Sequence, residues 1–204
     1  MTASHHRDRF HRLAKSLNCD GRRGLLLLSL CLVLLVIQSG GVTAQLALRY
    51  DRDGLAAGQW WRLLTGHFIH LGYEHALLDI AGLALRWARF ARDYSAREWL
   101  VIVGLSLLGI DAGLWLLSST TLWYVGSSGV LHGVLAAGTC AHLRRREPDR
   151  WVLALFLVGK LAYEQFAGAL PLTAGGPVIV DAHLYGAAAG ALAALLLRGF
   201  AKPV

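Results

Sequence analysis

The chain reads as long apolar stretches separated by short polar ones, between two basic ends. Residues 1–23 carry Arg7, Arg9, Arg12, Lys15, Arg22 and Arg23 without an apolar period, and this pattern predicts a disordered basic tail. From Gly24 to Leu48 no charged residue occurs. As one helix that stretch is roughly 37 Å long, enough to cross a hydrocarbon core of about 30 Å. Val42-Thr43-Ala44 before Gln45 resembles a signal-peptidase site behind an apolar run from Leu25 to Ile37. The apolar stretch outlasts such a run, so a retained span is expected.

Residues 49–66 form an amphipathic outer loop with Trp60 and Trp61, residue types that settle at membrane interfaces. A second span runs from Leu71 to Ala88, followed by a basic loop with Arg86, Arg89, Arg92 and Arg97. The third covers Trp99 to Leu117, and Ser118 to Thr121 turn the chain ahead of Trp123 and Tyr124. The fourth, Ser128 to Leu143, ends at Arg144, Arg145, Arg146 and Arg150. The fifth, Trp151 to Leu170, carries Lys160 and Glu164 four residues apart, a spacing that lets them pair on one helix face. After a Gly/Pro-rich stretch from Pro171 to Val180, the sixth runs from Ala182 to Leu197 and meets Arg198. Pro148, Pro171, Pro177 and Pro203 all lie outside these spans, as uninterrupted helices require. The expected architecture is all-α, a six-helix transmembrane bundle over 24–198 with a short tail at 199–204.

Composition agrees: 55% hydrophobic, 16% charged and mean hydropathy +0.48 suit one polytopic membrane domain with no soluble module. The net charge of +7 first suggests nucleic acid. With both termini cytoplasmic, however, 16 of the 20 Lys and Arg residues fall on the inner side, leaving Arg49, Arg52, Arg62 and Lys160 elsewhere. That asymmetry assigns the charge to orientation and anionic lipid. Cys19, Cys31 and Cys140 imply no disulfide framework, and Cys31 and Cys140 read as small apolar residues.

In this topology the second, fourth and sixth helices run inward from the outer face, so depth can be counted back from their arginines. Ser128 lies 16 residues before Arg144 and His183 lies 15 before Arg198, placing both roughly 23–24 Å above the inner border. His75, 11 residues before Arg86 and 14 before Arg89, reaches roughly 17–21 Å. Three polar groups thus converge inside the membrane, where ionisable residues are costly and mark function. Gly129 with Gly133, and Gly186 with Gly190, form small-residue faces that let two helices approach and bring Ser128 to His183. Asp111, inside the third span, reads as a polar contact to another helix or the edge of a water pocket.

Gly126-Ser127-Ser128-Gly129, Ala182-His183 with Gly186 and Gly190 behind it, and His75 with Asp79 resemble the motifs of the rhomboid intramembrane serine proteases. Trp61-Arg62 is similar to that family's Trp-Arg pair, and the likeness spans about residues 25–198. The short form, and Ser128-Gly129-Val130-Leu131-His132-Gly133 in particular, looks most like the rhombosortase branch. This resemblance implies a Ser128/His183 dyad without a catalytic carboxylate, and no cofactor or metal. The oxyanion would be met by the Ser128 N–H and His75. Gly126, Ser127, Gly129, Gly186 and Gly190 would support the site. The implied partners are membrane lipid and the C-terminal transmembrane tails, with a Gly-Gly-type motif, of exported proteins. The implied location is a bacterial inner membrane, with the site open to the periplasmic side.

Asp79 departs from the family, where asparagine is common. Being four residues from His75 it is expected either to hold that ring by accepting its hydrogen bond or to donate as the neutral acid. His132, one turn after Ser128, is expected to stack on His183 or bind substrate, or else to pack with a bond to a backbone carbonyl. The other readings are a general rhomboid protease and a catalytically silent binder of transmembrane segments. A metal site among His67, His70, Glu74, His75 and Asp79 lacks an HExxH motif, and His67 and His70 read as interface residues. A transporter is disfavoured, with no internal repeat evident.

Overall fold

The computed structural model describes residues 12–169 and 178–197. The first eleven residues of the basic tail, most of the Gly/Pro-rich stretch, and Arg198 with the final tail lie outside the described residues. Six long helices dominate: α1 (Gly21–Gln38), α5 (Tyr73–Phe90), α6 (Ala96–Leu116), α7 (Ser128–Arg145), α8 (Arg150–Ala167) and α9 (Val180–Leu197). Between α1 and α5 lie α2 (Gly41–Leu48), β1 (Tyr50–Asp51), α3 (Arg52–Ala56) and α4 (Arg62–Thr65). β2 (Trp123–Tyr124) pairs antiparallel with β1, Tyr50 opposite Tyr124. That pairing ties the segment between α1 and α5 to the residues just ahead of Ser128.

Three of these helices, α1, α6 and α9, are long and apolar enough to cross a membrane, with mean hydropathies of 1.8, 1.9 and 1.5. The other three are polar for reasons visible in the packing. α7 is the central helix, with α5, α6, α8 and α9 around it. Gly129, Gly133, Ala136, Ala137, Gly138 and Ala141 are buried along it, so small residues replace the apolar surface that lipid would demand. α5 and α8 carry Asp79, Arg86, Lys160 and Glu164, all bonded within the protein.

The glycine faces meet as expected. A Cβ on Gly186 would collide with the Gly129 carbonyl oxygen, and one on Gly190 with that of Gly133. Gly190→Ala is therefore expected to cost ~1–3 kcal/mol through overpacking, read as a lower unfolding midpoint in detergent. Gly104→Ala in α6, where a Cβ meets nothing within 4 Å, is the matched control and leaves the midpoint unchanged or raises it.

Three expectations need correction. The stretch before α1 is not featureless: residues 12–16 are helical, and Asn18 Nδ2 donates to Trp87 O and Ala88 O at 3.3 and 2.8 Å. Trp87 O also accepts from the Ala91 N–H, whereas Ala88 O, in the last turn of α5, takes the asparagine as its partner. The uncharged stretch 24–48 is not one helix. It breaks at Ser39-Gly40-Gly41, with Gly41 in the left-handed region at φ +58°, a conformation glycine adopts without penalty. Finally, Arg86 lies within α5 and not in the basic loop: Nε donates to Leu131 O (2.8 Å) and Nη1 to Gly82 O (3.0 Å). Arg89 and Arg145 are instead half-exposed and pair with Asp149 and Asp93 at 2.7 and 2.8 Å.

Arg49, Arg52, Arg62 and Lys160 are all engaged. Arg49 pairs with Asp51 at 2.7 Å. Burial acts to raise the Asp51 carboxyl, but the Gly54 N–H and the Arg49 guanidinium outweigh it and hold the group below the usual carboxylate range. Arg52 donates to Leu114 O, Trp115 O and Thr121 O at 2.5, 2.9 and 3.0 Å, satisfying the free carbonyls where α6 ends. Buried Arg62 donates to Leu46 O and Arg49 O, locking α2 to the loop, while Trp60 and Trp61 stay exposed. Lys160 is on Glu164, four residues along α8.

Candidate active site

Ser128 is the first residue of α7 and His183 lies in the first turn of α9. The glycine contact between these helices brings Ser128 Oγ within 2.9 Å of His183 Nε2. The start of α9 is pinned by Ser118, whose Oγ donates to Asp181 Oδ2 at 2.5 Å and lies 2.9 Å from the Tyr185 hydroxyl. The turn into α7 is fixed by Tyr124, whose hydroxyl donates to Gly126 O at 2.5 Å. Gly126 itself has φ +116°, and a Cβ there would stand 2.9 Å from His75 Cε1, so only glycine fits both the angle and the ring.

His75 lies beside this turn, as the depth count predicts. Its Nδ1 accepts from the Leu71 N–H at 3.4 Å, which leaves the proton on Nε2, the nitrogen nearer Gly126. Asp79 does not hold the His75 ring. Its Oδ2 accepts from the Ser127 N–H (2.9 Å), Ser127 Oγ (2.8 Å) and His70 Nε2 (3.1 Å). Residues four apart share a helix face, but three better-placed donors decide where the carboxylate turns. His70 is fully buried rather than interfacial. It is clamped by the α1–α2 elbow, where Gln38 Oε1 accepts from its N–H and Gln45 Nε2 donates to its carbonyl, each at 3.1 Å. His67 is buried as well, its Nε2 lying 3.2 Å from Asp111 Oδ1, so Asp111 does make a contact across helices.

His132 makes two contacts beside the dyad. Its ring stacks on His183 at 4.2 Å between centroids and 20° between planes, and its Nδ1–H donates to Ser128 O at 2.7 Å. Its Nε2 is buried with no hydrogen-bond partner among the described residues.

One neighbour differs from what the resemblance implies. A carboxylate does face the histidine: Glu164 Oε2 lies 2.9 Å from His183 Nδ1, and Lys160 Nζ donates to Glu164 Oε1 at 2.5 Å. Glu164 lies 14 residues after Arg150, roughly 21 Å along α8 from that basic end. His132, Glu164 and His183 each bring a possible ligand atom within 4.8 Å of the others. Both Glu164 oxygens are already engaged, one by an ammonium that would repel a cation, and this argues against a metal there.

Two comparisons with known proteins complete the site. A curated relative from Bacillus subtilis (strain 168), "Putative rhomboid protease YdcA", is 27% identical over 144 residues, covering 70% of each chain. The family model described as the Rhomboid domain matches residues 57–200, a span holding the α7, α9 and α5 motifs together. This chain is a multi-pass membrane protein that belongs to the rhomboid family.

Proposed function

We propose that this chain is an intramembrane serine endopeptidase, with Ser128 as nucleophile and His183 as general base. The observation that carries this is the 2.9 Å Ser128 Oγ–His183 Nε2 contact at the N-terminal end of a buried helix. A serine hydroxyl is a weak nucleophile until a base takes its proton, and a hydrogen bond to an unprotonated imidazole nitrogen supplies that base. Ser128 Oγ attacks the scissile carbonyl while His183 Nε2 takes its proton and returns it to the leaving amine. Water then hydrolyses the acyl-enzyme by the same route. The developing oxyanion sits against the Ser128 N–H, a first-turn donor with no intrahelical partner, and the His75 Nε2–H. The six long helices cross the membrane of a bacterial cell with both termini inside, and the site opens to the outer side.

The finer assignment is a rhombosortase. Its support is the Ser128–Gly133 motif with His132 behind the base. The substrates would be exported proteins ending in a Gly-Gly-type motif, one transmembrane helix and a basic tail. Co-expression with a secreted reporter bearing such a tail tests this. The parent releases the reporter, whereas a reporter lacking the Gly-Gly-type motif stays anchored. Equal cleavage of both reporters would instead assign a general rhomboid protease of single-pass proteins.

The silent-binder reading rests on Asp79, whose charge would repel an oxyanion. That charge is turned onto the Ser127 and His70 donors, so Asp79 supports the turn instead. An amide oxygen accepts from the same groups. Asp79→Asn is therefore expected to retain reporter cleavage within about tenfold, whereas Asp79→Leu, which strands the Ser127 donors, loses ~5–150-fold, on ~1–3 kcal/mol for unpaired polar groups.

A further inference from the structure

We propose that Glu164 is a positioning residue for His183, with Lys160 as its fixed counter-ion, so that the site works as a relay of Lys160, Glu164, His183 and Ser128. This rests on the protease reading above and extends it.

An ionised carboxylate can only accept, so the 2.9 Å contact of Glu164 Oε2 with His183 Nδ1 puts the ring proton on Nδ1. Nε2 is then left with a lone pair facing Ser128 Oγ at 2.9 Å, which is the tautomer a general base needs. Once His183 has taken the serine proton, the imidazolium faces a carboxylate on one side and the His132 ring on the other. Both hold its plane.

A lone carboxylate at this depth would be costly. Glu164 is 3% exposed, and Lys160 supplies the compensating charge from one helical turn away, 2.5 Å from Oε1. Lys160 also divides the labour of the two oxygens. With Oε1 committed to the ammonium, Oε2 is the one left for His183. This explains an acid and a base in the C-terminal half of a largely apolar helix, a pair that lipid contact or simple helix packing would not call for.

The relay makes a specific prediction for Glu164→Gln. The Lys160 ammonium demands the amide oxygen, which turns the amide NH₂ toward His183. That group donates, so His183 must present its Nδ1 lone pair and carry the proton on Nε2. The base is then blocked. We expect kcat to fall by up to ~10⁴-fold, the loss seen when a histidine-orienting carboxylate becomes an amide, with KM unchanged.

Glu164→Asp recovers part of this. Lys160→Met on the Glu164→Gln background also recovers part of it, because the amide is then free to turn its oxygen to Nδ1. The tautomer is read directly, without turnover, from ¹⁵N chemical shifts of histidine-labelled resting protein in detergent. The parent shows His183 protonated on Nδ1, and Glu164→Gln shows it protonated on Nε2. A Glu164→Gln variant with parental kcat, or with His183 still protonated on Nδ1, overturns the proposal. So does a loss that the Lys160→Met background does not relieve. Because the tautomer is measured on resting protein, the relay can fail while Ser128 remains the nucleophile, and the two outcomes are distinguishable.

Discussion

Ser128→Ala is expected to abolish cleavage of a transmembrane substrate, with kcat down on the order of 10⁶-fold, as when one member of a nucleophile–base unit is removed. The cause is local. Alanine keeps the first turn of α7, the Gly129–Gly186 contact and the His132 bond to the residue-128 carbonyl, none of which uses Oγ. The variant therefore folds and still binds substrate. His183→Ala falls as far, because Ser128 loses the only base within hydrogen-bond reach of Oγ among the described residues. The double variant falls no further, since the two residues act on one proton. Quantitative reporter release for the two single variants and the double variant checks this, and additive losses would show that the serine and the histidine do not act as a unit.

His75→Ala is expected to lower kcat by ~10²–10³-fold, the size of effect for removing one oxyanion donor, while KM stays within about twofold. The carbonyl oxygen gains its charge only as the tetrahedral intermediate forms, so a donor aimed at that charge acts on kcat rather than on binding. His75 Nε2 is the free donor because Nδ1 is taken by the Leu71 N–H, and Gly126 leaves room for the ring to lie against the turn. Steady-state cleavage of a detergent-solubilised substrate separates the two parameters. A rise in KM at constant kcat would place His75 in substrate binding.

The helix order, and the convergence of Ser128, His183 and His75, were legible from the sequence because depth in a membrane is nearly one-dimensional. Counting 1.5 Å per residue from a basic border locates a polar group without knowing how the helices turn. What was not legible depended on that turning. Asp79 chose His70 and Ser127 over His75 because a segment outside any helix, clamped by Gln38 and Gln45, brought His70 into the bundle. The break at Gly41 was hidden in an uncharged run, where nothing but three small residues marks the elbow. Arg86 looked like a border residue by charge, but its stem lets the guanidinium reach carbonyls deeper in the protein. Glu164 was visible as a partner for Lys160, and its second oxygen found His183 only through the packing of α8 against α9.

The most direct test of the account is covalent labelling of the detergent-purified protein with a fluorophosphonate, followed by mass spectrometry of the peptide containing residues 126–133. The account predicts a phosphonyl adduct on Ser128, absent in His183→Ala, because only a serine deprotonated by its base attacks the phosphorus. An adduct on Ser127, or equal labelling of Ser128 with and without His183, would contradict it.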